Sequence, residues 1–214
     1  MKKSDCFIVL GMHRSGTSMI AKFLHTLGIN MGNTFRAPDQ HNIFGYYEDQ
    51  EWRNLNVAIL KEAGGTWYEP PIIANVDTFK VELIQLIRRK MGNGPWGFKD
   101  PRTILTIPHL HPYLPHPMYV YVRREKEAVL ASLKKRAQVA GYERSDESWL
   151  ALIDRYEERA TDFLLDGNIA AELTIVTYEQ FIEDPTNQGQ GLAYTVGIKD
   201  KGAICKAIET IVRT

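Results

Sequence analysis

Residues 7–18 read Phe7-Ile-Val-Leu-Gly-Met-His-Arg-Ser-Gly-Thr-Ser18, and this stretch decides the architecture. Phe7–Leu10 is a short, continuous apolar run, as in a parallel strand covered on both faces. Gly11 and Gly16 bound a loop. From Thr17 onward Met19, Ile20, Phe23, Leu24 and Leu27 recur on one side of a helix, which Gly28 ends. A strand that passes through such a loop into a helix aims backbone N–H groups and the positive helix end at one point, a ready anion site. Arg14 adds a forked, permanent cation, and Ser15, Thr17 and Ser18 add hydroxyl donors.

The rest of the chain repeats the alternation. Asp49 caps an expected helix carrying Trp52, Leu55, Ile59 and Leu60, which stops at Gly64-Gly65. Phe79 to Met91 has helical periodicity. Trp96–Lys99 and Leu173–Thr177 read as short strands, and Met118-Tyr-Val-Tyr-Val122 is the clearest β-type run. Helices are expected at 126–136, 145–165, 187–196 and 199–213. Strands alternating with helices imply an α/β domain around a mainly parallel sheet, with ligands at the carboxyl ends of its strands. That rule gathers Gly11–Thr17, Lys99–Arg102, Arg123-Arg124 and Tyr178 on one edge. No repeat or linker divides the chain, so residues 1–214 are expected to form a single domain.

Composition narrows the function. A chain of 214 residues buries roughly 70% of the surface its unfolded form exposes. Lys plus Arg is 26 and Asp plus Glu is 26, a balance that argues against bulk binding of nucleic acid or membrane. Two cysteines make no disulfide framework and fit a reducing compartment. The apolar run after Met1-Lys-Lys3 is too short for a signal peptide, and no stretch approaches 18 apolar residues, so a cytoplasmic protein without a membrane span is expected. His109, His111 and His116 lie among Pro108, Pro112, Pro115 and Pro117, which reads as a proline-bent connection, and no metal is expected. Arg88-Arg-Lys90 and Lys134-Lys-Arg136 read as solvated helix faces.

The ATP-type phosphate loop is G-x-x-x-x-G-K-[ST]. Gly11, Gly16 and Ser18 keep that pattern, Thr17 takes the lysine position, and the cation sits at Arg14. The loop thus keeps phosphate-binding geometry without the lysine that reaches a γ-phosphate. A plain strand-turn-helix has the same glycines.

Arg14-Ser-Gly-Thr-Ser18 resembles the 5′-phosphosulfate loop of the sulfotransferases, which use 3′-phosphoadenosine 5′-phosphosulfate (PAPS) as donor. Three later segments fall in that family's order. Phe98-Lys-Asp-Pro-Arg102 resembles an element of the tyrosylprotein and some bacterial members. Tyr121-Val-Arg-Arg124 with Ser132 resembles the 3′-phosphate site, and Thr177-Tyr-Glu-Gln-Phe-Ile-Glu-Asp-Pro185 resembles the segment whose tyrosine lies near the adenine. The resemblance spans roughly residues 6–198. It implies a P-loop nucleotide-triphosphate-hydrolase-like three-layer α/β/α fold with a mainly parallel sheet. The implied chemistry is metal-free transfer of a sulfuryl group from PAPS to a hydroxyl or amine.

In that reading Arg14, Ser15, Gly16, Thr17 and Ser18 hold the 5′-phosphate, and Lys99 stabilises the bridging or transferring oxygens. Arg123 or Arg124 holds the 3′-phosphate with Ser132; the eight-residue spacing selects Arg124. Lys201-Gly202 stands where cytosolic members carry a basic-glycine segment. Glu48, in Gly45-Tyr-Tyr-Glu-Asp49, is the candidate general base, with burial among Tyr46, Tyr47 and Trp52 expected to raise its pKa. Glu48 and Asp49 also suit a helix N-terminus, and His41 is the rival base. Phe35, Phe44, Tyr46, Tyr47, Trp67 and Tyr68 are candidates for an acceptor pocket or lid. The acceptor is a small molecule, a carbohydrate or a peptide. A P-loop kinase and a non-catalytic nucleotide-binding protein are the competing functions; the kinase requires a loop lysine and a Mg²⁺ site.

Overall fold

The computed structural model describes residues 6–39, 42, 45–92, 94–165 and 173–212. Strands β1 (Cys6–Leu10), β2 (Trp96–Lys99), β3 (Pro117–Arg123) and β4 (Leu173–Thr177) form an all-parallel sheet in the order β2-β1-β3-β4. Val9 lies opposite both Lys99 and Val120, and Arg123 lies opposite Thr177. The carboxyl ends therefore align, and each strand hands directly to one of the segments selected by sequence. The chain leaves β1 for β2 on one side and returns to β3 on the other. That reversal opens a crevice at the end of β1, where open α/β sheets bind ligands.

The helices are α1 (Thr17–Thr26), α2 (Gln50–Glu62), α3 (Lys80–Lys90), α4 (Thr103–Leu110), α5 (Lys126–Ala140), α6 (Asp146–Leu164), α7 (Tyr178–Glu183), α8 (Pro185–Thr195) and α9 (Lys201–Val212). Side-chain alternation along β1 divides the core. Cys6, Ile8 and Leu10 pack with Trp52 of α2, Leu83 of α3, Ile104 of α4, Val129 of α5 and Trp149 of α6. Phe7 and Val9 pack with Ile20 of α1, Phe181 of α7, Leu192 of α8 and Ile204 of α9. The result is three layers, α/β/α. Gly97 lets β2 close on β1, because a Cβ there would lie 2.1 Å from the Phe7 carbonyl oxygen.

Two sequence expectations change. The proline-bent connection begins as helix α4. Pro108 forfeits one helical hydrogen bond, and the helix ends at Leu110. Among the three histidines, His111 places Nδ1 2.6 Å from the Tyr119 hydroxyl. The described residues contain no cluster of three or more metal-ligating His, Cys, Asp or Glu side chains. The second change is Lys90, which is buried rather than solvated. It donates to Asp49 Oδ2 at 2.9 Å and pairs with Glu51 at 2.6 Å. No helix among the described residues is long and apolar enough to cross a membrane.

Asp49 joins these layers. One carboxylate oxygen caps α2 at the Glu51 N–H, and the other accepts from the Asn33 N–H and from Lys90. Asp49→Ala leaves the Lys90 ammonium with less compensation and opens the cap. A loss of about 3–5 kcal/mol in unfolding free energy is expected by urea titration, since breaking a buried pair strands its partner. A loss below about 1 kcal/mol would mean that Glu51 alone satisfies Lys90.

Candidate active site

Leu10 delivers the chain into the loop, whose shape is set by two left-handed residues. Gly16 has φ of 93° and Arg14 has φ of 71°, an uncommon conformation for a side chain of that size. At Gly16 a Cβ would come within 2.2 Å of the Tyr178 ring, so only glycine lets α7 approach the loop. No side chain caps α1; the Met19 N–H turns back to the Gly16 carbonyl, and the Thr17 and Ser18 amides ahead of it suit a ligand.

The turn at Arg14 is held from two directions. Its Nε donates to Ser132 Oγ of α5 at 2.9 Å, and its carbonyl accepts from the Arg124 guanidinium at 2.8 Å. Arg124 in turn lies over the Tyr178 ring at 4.4 Å from its centroid. Its Nε is buried without a hydrogen-bond partner, 3.9 Å from a Glu179 carboxylate oxygen. Ser132 therefore meets Arg14 here, where the family resemblance pairs it with the strand-end arginine. Ser15, expected as a phosphate donor, turns its hydroxyl back to the Met12 carbonyl at 2.7 Å. Arg123 is exposed and lies outside the cleft lining, whereas Arg124 lines it. Lys201 and Gly202 are exposed at the start of α9, away from that lining.

At the end of β2, Lys99 is 1% exposed and donates to Glu48 Oε1 at 3.0 Å and Ser18 Oγ at 3.2 Å. The corner that follows is built from Asp100, which accepts from Arg102 at 2.8 Å and from Asn56 at 3.1 Å. Burial pushes the Glu48 pKa upward, but the charges of Lys99 and Arg102 overcome it and hold the carboxyl below its usual range. This reverses the sequence expectation for Glu48, because the burial was visible and the cations were not. His41 and Phe44 lie outside the described residues. Of the other aromatic candidates, Tyr46 lines the cleft and Tyr68 is exposed, while Phe35 and Tyr47 pack with His25 against the second core.

These groups surround a cleft of about 760 Å³. Among the described residues its walls carry Arg14, Lys22, Arg36, Lys99, Arg102, Arg124 and Arg136 against the single carboxylate Glu48. A chain with zero net charge thus concentrates positive charge at one place. Tyr178, Thr17 and Ser18 also line it.

The family model described as "Sulfotransferase family" matches residues 6–201. The chain belongs to the sulfotransferase family. Its fold is shared with sulfotransferase STF1 from Mycobacterium tuberculosis H37Rv, at 16% identity and a TM-score of 0.58, covering 97% of this chain and 71% of that one. Sulfotransferase STF9 from Mycobacterium avium aligns at 12% identity and a TM-score of 0.59, covering 100% and 69%. A retinol dehydratase in complex with androsterone and the inactive cofactor PAP aligns at 14% identity and a TM-score of 0.52, covering 99% of this chain and 65% of that one. No curated protein sequence matches.

The sulfotransferase cleft also contains residues that sequence reading passed over. His13 is 4% exposed and packs its ring 4.3 Å from that of Trp67. Burial, reinforced by Arg102, Arg136, Lys99 and Arg14, holds its pKa well below the usual imidazole value, so the ring is neutral. Arg136, expected on a solvated face, lines the cleft. Only its position nearly three turns into α5, about one turn past Ser132, pointed there.

A buried neutral histidine makes stability depend on pH. Unfolded His13 takes up a proton as pH falls below about 6.5, while the folded residue resists it, so stability is lost on acidification. Urea titrations between pH 7 and pH 5 should show this decline. His13→Gln should reduce its slope by up to about 1.4 kcal/mol per pH unit, the value for one proton. His25, also lowered by burial, supplies a residual slope. An unchanged slope in the variant would show that His13 is protonated in the folded protein.

Proposed function

We propose that residues 1–214 act as one catalytic unit that transfers a sulfuryl group from PAPS to a hydroxyl- or amine-bearing small molecule, carbohydrate or peptide. One observation carries this reading: Arg14, Lys99 and Arg124 leave three different strand ends and meet on one cleft beside the ion-paired carboxylate of Glu48. The donor carries phosphate groups at two places, and the cleft answers both. The uncapped start of α1, Arg14, Thr17 and Ser18 suit the 5′-phosphosulfate. Arg124, with its orphaned buried Nε beside Tyr178, suits the 3′-phosphate and the purine.

PAPS supplies a sulfuryl group activated by its bond to a phosphate leaving group. The residues have the remaining tasks. Glu48, already a carboxylate, accepts the proton of the acceptor hydroxyl. Lys99 spans Glu48 and Ser18, so its ammonium lies between the proton acceptor and the phosphate loop. It stabilises negative charge as that charge develops on the departing 5′-phosphate. Arg14 and the α1 amides share that charge. A sulfuryl group carries less charge than a phosphoryl group and needs no metal partner for its oxygens. Thr17 in place of the loop lysine disfavours the kinase alternative. The two cysteines, Cys6 buried in β1 and Cys205 exposed on α9, suit placement in the reducing cytoplasm.

Calorimetry with 3′-phosphoadenosine 5′-phosphate, AMP, ADP and ATP–Mg²⁺ tests the donor. Tight, metal-independent binding that requires the 3′-phosphate is expected, and preference for ATP–Mg²⁺ would overturn the reading. Arg124→Ala should weaken the 3′-phosphorylated nucleotide by roughly 10–100-fold, the range for charge-assisted hydrogen bonds, and leave AMP nearly unchanged. An equal loss for both nucleotides would move Arg124 off the 3′-phosphate. Glu48→Gln should lower turnover by about 10²–10⁴ with near-normal nucleotide affinity. Wild-type turnover would remove Glu48 from the role of base.

A further inference from the structure

Most cations of the cleft have partners within the protein. Lys99 has Glu48, Arg102 has Asp100, and Arg36 has Asp39 at 2.8 Å. Arg14 bonds Ser132, and Lys22 donates to the Thr210 carbonyl at 3.3 Å. Arg136 differs. It is half-buried and lines the cleft, yet among the described residues its guanidinium makes no hydrogen bond or ion pair. Its recorded contact is with the Trp67 ring, 5.2 Å from the centroid. A partly desolvated guanidinium with its donors unclaimed is complementary to an anion.

It stands beside the donor groups, close enough for its charge to act on Arg14. Ser132 and Arg136 lie about one turn apart on α5, about 6 Å along the axis, so Arg136 continues the row of cations beyond the Arg14–Ser132 contact. Aromatic rings pack behind it. Trp67, on the connection between α2 and α3, packs against His13 at 4.3 Å and stacks toward Trp149 at 6.5 Å. Its carbonyl accepts from the Tyr156 hydroxyl at 2.9 Å, which fixes the segment to α6. His13 is neutral and lines the cleft, so it presents an uncharged ring beside Arg136.

We infer that Arg136 anchors an acidic group on the acceptor, so that this sulfotransferase prefers anionic, ring-bearing hydroxyl compounds. Arg136 binds the carboxylate or sulfonate-type group through its forked donors, and the His13 and Tyr46 rings, which line the same cleft, flank the acceptor ring. The inference rests on the donor assignment above, because Arg136 is free for the acceptor only if Arg14, Lys99 and Arg124 satisfy the nucleotide.

The test uses protein saturated with 3′-phosphoadenosine 5′-phosphate and four para-substituted phenols. These are 4-hydroxyphenylacetate, 4-hydroxybenzenesulfonate, 4-ethylphenol and tyramine. One anion at least should bind about tenfold or more tighter than 4-ethylphenol, with tyramine weakest, and the two anions distinguish carboxylate from sulfonate recognition. Arg136→Gln should abolish that advantage without changing nucleotide affinity or Tm, and Arg136→Lys should restore part of it. Equal affinity for charged and neutral phenols, absence of anion binding, or retention of the advantage in Arg136→Gln overturns the inference. Weakened nucleotide binding in Arg136→Gln also overturns it, by placing Arg136 at the donor. Failure of the wild type to bind the nucleotide counts against the donor assignment instead. The same anion titration without nucleotide then decides the Arg136 site: dependence on Arg136 sustains it, and unchanged affinity in Arg136→Gln removes it.

Discussion

An ammonium withdrawn from water costs several kcal/mol unless an anion and hydrogen-bond acceptors replace its hydration. Lys99 is in that position at the end of β2, and Glu48 and Ser18 supply the replacement. The pair explains why the segment before α2 must fold back over the sheet: without Glu48 at that place, the strand end would carry an uncompensated charge. It also ties three parts of the chain together, the phosphate loop, the end of β2 and the start of α2. A ligand anion arriving beside Lys99 competes with Glu48 for the same cation, which frees the carboxylate as the donor's charge is engaged. The ion pair is therefore both a folding constraint and the resting state of the proposed base.

Parallel topology sets where the other charges go. Four strands that point the same way bring their following loops to one edge, so cations far apart in sequence become neighbours. Neighbouring cations repel, and the fold offsets this locally. Asp100 holds Arg102, Asp39 holds Arg36, and Tyr178 lies under Arg124. Arg14 accepts a left-handed backbone so that its carbonyl reaches Arg124 while its side chain reaches Ser132. The strained turn is thus supported by Arg124, just past β3, and by Ser132 of α5, so contacts within the protein hold the loop's shape. Such preorganisation is what electrostatic stabilisation of a leaving group requires.

The aromatic wall serves a different purpose from the charged floor. Trp67, His13 and Trp149 pack as a continuous surface extending from the core to the cleft. The strands' edge supplies the cations proposed to hold the nucleotide, whereas the connection between α2 and α3 supplies Trp67. Division of labour between a rigid sheet edge and its loops lets one fold carry many acceptor specificities.

Local features of the chain determined the fold. The apolar run at Phe7–Leu10, the glycines at 11 and 16 and the helical stripe through Leu27 depend on backbone geometry and periodicity, which neighbouring residues set. The same locality made Asp49 legible as the cap of α2, and the spacing of Arg124 and Ser132 legible as a pair of positions. The contacts among these residues were a tertiary matter. Ser132 bonds Arg14, Ser15 turns inward, Lys90 is buried, and α4 runs through Pro108 because packing against α2 and α6 outweighs one lost hydrogen bond. The ionisation of Glu48 could not be read from its neighbours in sequence. Burial acts through the surrounding chain, but Coulomb interaction acts through space, and the cations that decide it, Lys99 and Arg102, arrive from half a hundred residues away.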